Sequence, residues 1–426
     1  MLNKAISIQS DILGKIKKQY QYVIDNSEYY KNKLKSVRKI KTIEDFNKLP
    51  FTTKDEILSD QEHYPPFGSN LCVSIQNILR IHKTSGTTNK PVMIALTQKD
   101  IQRTIEVGAD CFISSGLRRS DLVVHCLNYN MWAGGYTDHQ SLEKAGAGVI
   151  PFGVGNSRKL IETILQLKAT AIHCTPSYLS KLEHIMKEEF NMEPSNLNLR
   201  LGLFGAESGL QDQDFRKIIE HTWGLQAMNA NYGMSEVLSM FGAECSFQNG
   251  LHFFGEKVLY PELVDLQSQE SLSIEEGVVG ELILTSLYRE TQPLIRYRTG
   301  DIIAILGREC ECGKSVFRFE VLGRTDTMLV IRGLNLFPRN IEQIINKNIG
   351  FITESYQVLV NKNNPIDTIK LLLEMKKGNQ ISEETLKAKI IDDFVGHLEI
   401  TPTVEFVQEG VLPRVEGKSQ KVLRTL

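Results

Sequence analysis

The sequence predicts a two-domain α/β protein, with a large N-terminal domain and a small α+β C-terminal domain. At 426 residues the chain has room for roughly two or three domains. Between about 75 and 250, short apolar runs alternate with helical patterns, which is typical of parallel sheets covered by helices. After about 250, short strands with glycine or proline turns indicate a smaller β-rich subdomain of the large domain.

The N-terminal region is predicted to begin with helices, because apolar residues recur there at three- and four-residue spacing up to about residue 45. Leu49-Pro50 breaks this pattern, and Thr53 can cap a short helix that starts at Lys54. The alternating region that follows supplies predicted buried strands at 122–127, 148–151, 171–174 and 201–204, with helices at 157–167 and 212–221.

The C-terminal part of the chain has a different pattern. Strands are predicted at 280–285 and 301–306 in the β-rich subdomain. From about 327 to the end, strand-like runs at 357–360 and 369–373 flank a helical stretch at 382–395. This arrangement predicts a compact α+β domain of about 100 residues.

Composition excludes several classes of partner. Hydrophobic residues make up 41% and charged residues 23%, as in globular proteins with a sizeable core. Lysine plus arginine (49) nearly balances aspartate plus glutamate (51), so neither nucleic acid nor an anionic membrane is an expected partner. The N-terminus lacks a signal-like apolar stretch, and no window approaches the ~18 apolar residues of a membrane span, so we expect a cytoplasmic protein.

The strongest chemical signal is Thr-Ser-Gly-Thr-Thr-Asn-Lys-Pro at 84–91, which follows a strand-like run at 78–81. Its hydroxyls, backbone N–H groups and lysine are the groups needed to hold a polyphosphate. The spacing is not that of a Walker loop. A polar surface loop is the alternative, because these residues are also common turn formers.

This segment resembles the phosphate loop of the adenylate-forming superfamily, which includes acyl- and aryl-CoA synthetases, luciferases and peptide-synthetase adenylation domains. Other motifs of that superfamily follow in order, so a chance match is improbable. They are Phe-Gly-Ala-Glu at 204–207, Asn-Tyr-Gly-Met-Ser-Glu at 231–236, Arg-Tyr-Arg-Thr-Gly-Asp at 296–301, Gly-Arg-Thr-Asp at 323–326 and Leu-Pro-Arg-Val-Glu-Gly-Lys at 412–418.

Within the superfamily the chain is most similar to the phenylacetate–CoA ligase branch, on the segments 49–54, 64–68, 332–338 and 412–418. The resemblance implies that ATP activates a carboxylic acid as acyl-AMP and that the acyl group then passes to a thiol. An aryl or arylacetic acid with coenzyme A is the first expectation. An enzyme that loads a carrier-protein thiol is an alternative, and a catalytically silent nucleotide-binding protein is an alternative of another class. A homodimer is left open.

The resemblance also implies roles for individual residues. Tyr232 lies against adenine, Asp301 binds the ribose hydroxyls and Arg324 bridges ribose and α-phosphate. Glu236 binds Mg²⁺, and Lys418 is the catalytic lysine. The nucleotide-binding set is Thr84, Ser85, Gly86, Thr87, Thr88, Lys90, Gly205, Ala206, Glu207, Asn231, Tyr232, Gly233, Ser235, Asp301 and Arg324.

The same resemblance divides the chain into an N-terminal adenylation domain at 1–325 and a mobile C-terminal domain at 327–426, with the hinge near Asp326. Lys418 then lies beyond the hinge, as two half-reactions at one site require. One residue departs from the pattern, since Asn89 replaces the usual glycine of the phosphate loop. Asparagine tolerates a left-handed backbone better than other non-glycine residues, so the loop can keep its shape.

Two further groups of residues are candidates for binding. Cys245, His252, Cys310 and Cys312 can form a tetrahedral structural zinc site, and similar cysteine–histidine patterns are common in the branch. A reduced surface cysteine pair at 310 and 312 is the alternative. Trp132, Gly134 and Tyr136 occupy the stretch where the branch has its acid pocket, although they are equally compatible with an ordinary helix start.

Overall fold

The structure is a computed structural model that describes residues 2–36, 39–84, 91–207, 209–331, 334–361, 369–378, 381–398, 400–412 and 422–425. The chain divides into two compact units. Unit 1 comprises Met1–Gly205 and Ile219–Val321, and unit 2 comprises Ala206–Ile218 and Leu322–Leu426. The domain limits at 325 and 327 and the hinge near Asp326 stay predictions. No helix in the described part of the chain is long and apolar enough to cross a membrane.

Unit 1 begins with four helices, as the apolar spacing predicts. In the fourth helix, the Thr53 side chain accepts from the backbone of Glu56, and the Glu56 carboxylate accepts from the backbone of Thr53. This reciprocal capping box fixes the start of the helix at the predicted residue. The helices are α1 (Leu2–Asn26), α2 (Glu28–Lys33), α3 (Ile43–Asn47) and α4 (Lys54–His63).

The alternating region forms the predicted parallel sheet. Strands β3 to β7 pair only in parallel with one another, helix α5 precedes β3, and helices α6 to α9 lie between these strands in sequence. Before them, β1 and β2 form an antiparallel pair. The elements are β1 (Arg80–Lys83), β2 (Met93–Leu96), α5 (Gln98–Ser114), β3 (Leu122–His125), α6 (Ala133–Lys144), β4 (Gly148–Pro151), α7 (Ser157–Leu167), β5 (Ala171–Cys174), α8 (Tyr178–Phe190), β6 (Leu201–Gly205), α9 (Gln213–Trp223) and β7 (Gln226–Met234).

One strand differs from its prediction. Strand β4 has exposed ends and only half-buried central residues, whereas β5 and β6 are buried throughout. The reason is its position, because β4 is the outermost strand of the sheet and pairs with β3 alone. The prediction of a buried strand at 148–151 is therefore wrong.

The predicted β-rich region is present, and its antiparallel strands extend the same sheet. Twelve strands of the described residues run in the order β11-β10-β12-β13-β14-β9-β8-β7-β6-β5-β3-β4. The rings of Phe241, Phe253, Phe317 and Phe319 pack together in the core of this half. The strands are β8 (Leu238–Ala243), β9 (Leu251–Phe253), β10 (Leu259–Val264), β11 (Ser271–Leu272), β12 (Val279–Ser286), β13 (Tyr297–Ile305) and β14 (Arg318–Arg324).

The C-terminal part of unit 2 has a sheet and a core of its own. Its sheet order is β19-β18-β17-β20, and Leu371, Leu386 and Phe394 are fully buried in its core. Burial of each such side chain stabilises the folded state by about 1.5–3 kcal/mol. The elements are β15 (Leu329–Ile331), β16 (Leu334–Leu336), α10 (Pro338–Lys347), β17 (Ile352–Asn361), β18 (Ile369–Met375), α11 (Glu383–Leu398), β19 (Thr403–Gln408) and β20 (Val422–Thr425).

Candidate active site

Strand β7 carries the first four residues of the motif at 231–236, and Tyr232 on this strand is hydrogen-bonded to Asp301. The Tyr232 hydroxyl donates to Asp301 Oδ2 at 2.6 Å, and its ring makes edge contacts with Phe241 and Phe319 at 5.2 Å between centroids. Asp301 is 7% exposed and lies on β13. The arrangement keeps a carboxylate at a fixed place beside an aromatic ring, as recognition of a nucleoside requires.

Two glycines of the predicted nucleotide set allow a close approach of backbones. A Cβ atom at Gly233 would lie 2.2 Å from the Ser239 carbonyl oxygen, and one at Gly205 would lie 2.5 Å from Asn231 Cβ. Both distances are impossible for real atoms, so a larger residue would push the strands apart. Ala206, the next residue after Gly205, has a positive φ of 66°.

Glu236, the predicted magnesium ligand, is paired with a lysine that the sequence analysis did not single out. Lys54 Nζ lies 3.2 Å from Glu236 Oε1, and the Glu236 side chain is only 12% exposed. Lys54 is the first residue of α4, so the helix start fixed by Thr53 places this cation. Lys54 belongs to the segment 49–54, which carries the resemblance, and this was the sequence signal that could have pointed to it.

The segment around Thr52 is bound directly to the motif at 296–301. Thr52 N–H donates to the Arg296 carbonyl and Arg298 N–H donates to the Thr52 carbonyl, both at 2.9 Å. The buried Arg296 guanidinium pairs with Glu262 at 2.9 Å and lies over the Phe51 ring. Arg296 is therefore a structural residue that joins two segments of unit 1, while Asp301 at the end of the motif faces Tyr232.

The phosphate loop lies almost entirely outside the described residues. Thr84 is described and buried, and its hydroxyl accepts from Val92 N–H at 3.0 Å. Ser85, Gly86, Thr87, Thr88, Asn89 and Lys90 lie outside the described residues. The strand before the loop is β1, which begins two residues later than the predicted run at 78–81.

Unit 2 carries other residues of the predicted set. Both guanidinium nitrogens of Arg324 that contact Asp326 do so at 3.0 Å, so the two residues form a two-point ion pair. Ala206 and Glu207 also belong to unit 2. Lys418 lies outside the described residues, and its role stays a prediction.

The predicted acid-binding segment forms the start of α6. Trp132 is the residue before the helix, and its side chain makes no capping hydrogen bond. Tyr136 is 46% exposed, and the Arg80 guanidinium lies 4.4 Å from the centre of its ring. The Trp132 ring is the aromatic group beside Gly134, because a Cβ added at Gly134 would lie 3.6 Å from it.

Beneath this segment lies a buried polar network that sequence reasoning missed. His125 Nδ1 lies 2.8 Å from His173 Nδ1, and His125 Nε2 lies 2.7 Å from the Gly135 carbonyl oxygen. Burial lowers the pKa of His125 to about 4, and it also lowers the pKa of His173 well below its ordinary value. Burial also raises the pKa of Asp138, which accepts a hydrogen bond from Asn231. Burial therefore disfavours the charged form of all three titratable groups.

The four predicted zinc ligands do come together. Cys245 Sγ lies 3.7 Å from Cys310 Sγ, and Cys312 Sγ lies 3.6 Å from His252 Nε2. All four ligand atoms lie within 4.8 Å of one another. Burial, together with nearby Lys314 and Arg318, lowers the pKa of His252 to about 4, so the imidazole is neutral.

A large α/β sheet in which Tyr232 is hydrogen-bonded to Asp301, together with a small second unit, is the arrangement of an adenylate-forming enzyme. Residues 333–425 match the family model of the AMP-binding enzyme C-terminal domain. The chain is 32% identical to the phenylacetate–coenzyme A ligase of Pseudomonas putida, over 88% of this chain and 84% of the relative. The corresponding ligase of Escherichia coli is 31% identical, over 89% of this chain and 85% of the relative.

The chain therefore belongs to the phenylacetate–coenzyme A ligase family of adenylate-forming enzymes. It is an AMP-forming acid–coenzyme A ligase, in which ATP activates the acid as acyl-AMP before coenzyme A receives the acyl group. A solved structure of 2-hydroxyisobutyryl-CoA ligase with 2-HIB-AMP matches 99% of this chain and 90% of that protein, with a TM-score of 0.90 and 25% identity. ATP-bound MatB from Rhodopseudomonas palustris, 16% identical with a TM-score of 0.58, shares the fold.

Proposed function

We propose that the acid activated by this enzyme is a small aromatic acid of the arylacetic class. The observation that carries this proposal is the likeness to phenylacetate–coenzyme A ligases, which reaches 30% identity over 96% of this chain for the relative from Thermus thermophilus. The Trp132 ring beside Gly134 supports it, because a flat wall without an intervening side chain suits an aromatic acid. The reaction uses ATP and coenzyme A, which are available in the cytoplasm, and this supports a cytoplasmic location.

In the first half-reaction, the acid carboxylate attacks the α-phosphate of ATP and pyrophosphate leaves. Asp301 accepts hydrogen bonds from the ribose, and Arg324 binds ribose and α-phosphate with its planar fork. Glu236 would hold Mg²⁺, and the metal would offset the charge of the phosphates. Lys418 neutralises the negative charge that develops as the carboxylate oxygen approaches phosphorus. In the second half-reaction, the thiol of coenzyme A attacks the acyl carbonyl and AMP leaves.

Lys54 adds a constraint to the magnesium site. Its ammonium group lies 3.2 Å from Glu236, so the carboxylate has a cationic partner before any metal binds. A divalent cation with phosphate oxygens attracts the carboxylate more strongly than a single ammonium group. Lys54 therefore holds the Glu236 carboxylate in place, and Glu236 would be the residue that binds the metal.

The cysteine and histidine cluster of unit 1 fits a structural zinc ion. With Zn–S bonds of about 2.3 Å and a Zn–N bond of about 2.0–2.1 Å, a tetrahedral ion separates sulfur atoms by about 3.8 Å and sulfur from nitrogen by about 3.6 Å. The separations of 3.7 Å and 3.6 Å in the structure agree with both values. Cys245, His252, Cys310 and Cys312 supply all four ligands, which leaves no open position for catalysis.

The test of the proposed function is ATP–pyrophosphate exchange over a panel of aryl, arylacetic, fatty and amino acids, with wild type and Lys418→Ala side by side. We expect exchange with arylacetic acids and a loss of about 10²–10³-fold in Lys418→Ala, because an electrostatic group of the transition state is removed. Lys421→Ala, which changes another lysine of the same C-terminal segment, is the matched control and should stay within about twofold of wild type.

A second measurement supplies preformed acyl-AMP with either coenzyme A or a carrier protein. Thioester formation with coenzyme A is expected. Exchange supported only by fatty or amino acids would overturn the proposed acid class, and thioester formation with the carrier protein alone would overturn the acceptor. No exchange with any acid, in protein shown to bind ATP, would favour the catalytically silent alternative.

A further inference from the structure

A buried histidine connects the strand that leads into the predicted phosphate loop with the segment at the start of α6. His82 lies on β1, two residues before Thr84, and is only 3% exposed, whereas its strand neighbours Ile81 and Lys83 are exposed. Successive side chains of a strand point to opposite faces, so His82 is turned into unit 1. A buried imidazole needs hydrogen-bond partners, because unpaired buried polar atoms are rare in folded proteins.

The partners of the His82 ring both lie in the segment that begins α6. Its Nδ1 lies 3.2 Å from the Met131 carbonyl oxygen, and its Nε2 lies 3.3 Å from Thr137 Oγ1. Burial lowers the pKa of His82 to about 4, and Arg80 and Arg289 lower it as well, so the ring is neutral at pH 7. A carbonyl oxygen can only accept, so Nδ1 carries the proton and Nε2 accepts from the Thr137 hydroxyl.

The backbone of β1 contacts the same carbonyl group. Lys83 N–H donates to the Met131 carbonyl oxygen at 2.9 Å, so this one oxygen accepts from a backbone amide and from the imidazole. Met131 has a positive φ of 57°, which is uncommon for a residue with a side chain and persists where the surroundings hold it. The two donors from β1 therefore fix the turn that precedes Trp132.

The other end of β1 fixes the first residue of the predicted phosphate loop. Thr84 N–H donates to the Val92 carbonyl oxygen at 3.0 Å, and the Thr84 hydroxyl accepts from Val92 N–H at 3.0 Å. Thr84 thus continues the antiparallel pairing of β1 with β2 and has a fixed position relative to His82. His82 therefore lies where the support of the predicted phosphate loop meets the support of the predicted acid-binding segment.

The first half-reaction depends on the relative placement of these two segments. The carboxylate oxygen of the acid must come within about 3–3.5 Å of the α-phosphorus, and a misplacement of about 1 Å can lower the rate about 100-fold. In the second half-reaction, the acid and the α-phosphate are already joined in acyl-AMP. Because a covalent bond then sets their separation, the placement of the two segments matters less for thioester formation.

We propose that His82 is a positioning residue for adenylation, which sets the distance between the phosphate loop and the acid-binding segment through Met131 and Thr137. In this assignment His82 touches neither ATP nor the acid, and Thr137 acts only by orienting the imidazole. The inference rests on the proposed function, because it assumes that residues 84–90 bind the phosphates of ATP and that the segment around Trp132 binds the acid. Loss of His82 should impair the first half-reaction and spare the second.

The experiment measures the two half-reactions separately. Pyrophosphate exchange with the best acid of the panel above gives kcat and the KM values for ATP and for the acid. The preformed acyl-AMP of the same acid, mixed with coenzyme A, gives the rate of thioester formation. For His82→Leu we expect kcat of exchange to fall about 10- to 100-fold, while both KM values stay within about threefold of wild type. Thioester formation should stay within about twofold.

Conservative variants test which contact is responsible. In His82→Asn the amide nitrogen takes the place of Nδ1 and can still donate to Met131, so we expect kcat of exchange within about fivefold of wild type. Thr137→Val removes only the hydroxyl and should lower kcat about three- to tenfold. Thr137→Ser should retain the wild-type value. His184→Leu changes an exposed histidine on α8 and, as the matched control, should leave both half-reactions unchanged.

The outcomes separate this inference from the proposed function. Exchange by wild type with an unchanged kcat in His82→Leu would overturn the inference and leave the proposed function standing. A parallel loss of both half-reactions with a lower melting temperature would also overturn it, because His82 would then be purely structural. If His82→Leu does not fold, equal kcat values for Thr137→Val and Thr137→Ser would overturn it. If wild type exchanges pyrophosphate with no acid, both the proposed function and the inference are lost.

Discussion

At the scale of single residues, the contact between Tyr232 and Asp301 gives the first prediction. Asp301→Asn keeps the size of the side chain but removes the charge that accepts the Tyr232 hydroxyl at 2.6 Å. Hydrogen bonds to a charged group are worth about 1.5–3 kcal/mol, so we expect kcat/KM for ATP to fall about 10- to 100-fold. Initial rates of pyrophosphate exchange against ATP concentration measure the change.

The control for this prediction is Asp392→Asn, which removes a carboxylate from the exposed face of α11. Its kcat/KM for ATP should equal that of wild type, and so should the melting temperature of both variants within a few degrees. An equal decrease of kcat/KM for ATP in the two variants would show that the effect of Asp301→Asn is unspecific. An unchanged Asp301→Asn enzyme would remove Asp301 from the nucleotide site.

Residues within a motif were predictable from the sequence, whereas their partners were not. Asp301 and Glu236 could be selected because each ends a short motif that carries the resemblance. Asp138 and His173 could not, because each acquires its role from a residue far away in the chain, such as Asn231 for Asp138. Lys54 lies in a segment that carries the resemblance, but its pairing with Glu236 also depends on a distant residue. A buried acid next to polar neighbours in a helix looks, in sequence, like an exposed one.

At the scale of elements, local signals predicted the starts of helices well and the positions of strands in the sheet less well. Helix α7 has the predicted bounds, and Thr53 caps α4 through bonds that span only three residues. Strand β4 was predicted to be buried because it is apolar, but burial depends on the order of strands. That order is set by long-range pairing, which apolar runs do not encode.

The zinc cluster gives the prediction that belongs to this scale. Its ligands come from strand β9 and from the turns that contain Cys245 and Cys310 to Cys312, so a bound ion would tie together parts of the antiparallel half of the sheet. We expect about one zinc ion per chain by elemental analysis. After chelation we expect a melting temperature at least about 5 °C lower, because the free energy of zinc binding adds to the free energy of unfolding.

Cys312→Ser should lose the metal and melt like the chelated wild type. Cys72→Ser changes another partly exposed thiol outside the cluster and should keep both the metal and the melting temperature. Protein purified without chelators that carries no zinc, and that melts identically with and without Cys312, would show that the cluster is a set of reduced thiols.

At the scale of the whole molecule, each unit has a hydrophobic core of its own. The core of unit 2 contains residues between Leu329 and Val404, whereas the largest core of unit 1 contains residues between Ile57 and Phe319. The pattern change after about 327 was sufficient to predict a separate small domain. The inclusion of 206–218 in unit 2 was not predictable, because it depends on contacts rather than on sequence order.

Separate cores predict separate unfolding. We expect two transitions in calorimetry, since each unit buries its own apolar surface and can unfold cooperatively by itself. Phe394→Ala removes a fully buried ring from unit 2, and Phe112→Ala does the same in unit 1. Each substitution should cost about 3–5 kcal/mol and lower one transition only, a different one in each variant. A single transition that both variants lower equally would show that the two units unfold together, and the division into independent domains would then be wrong.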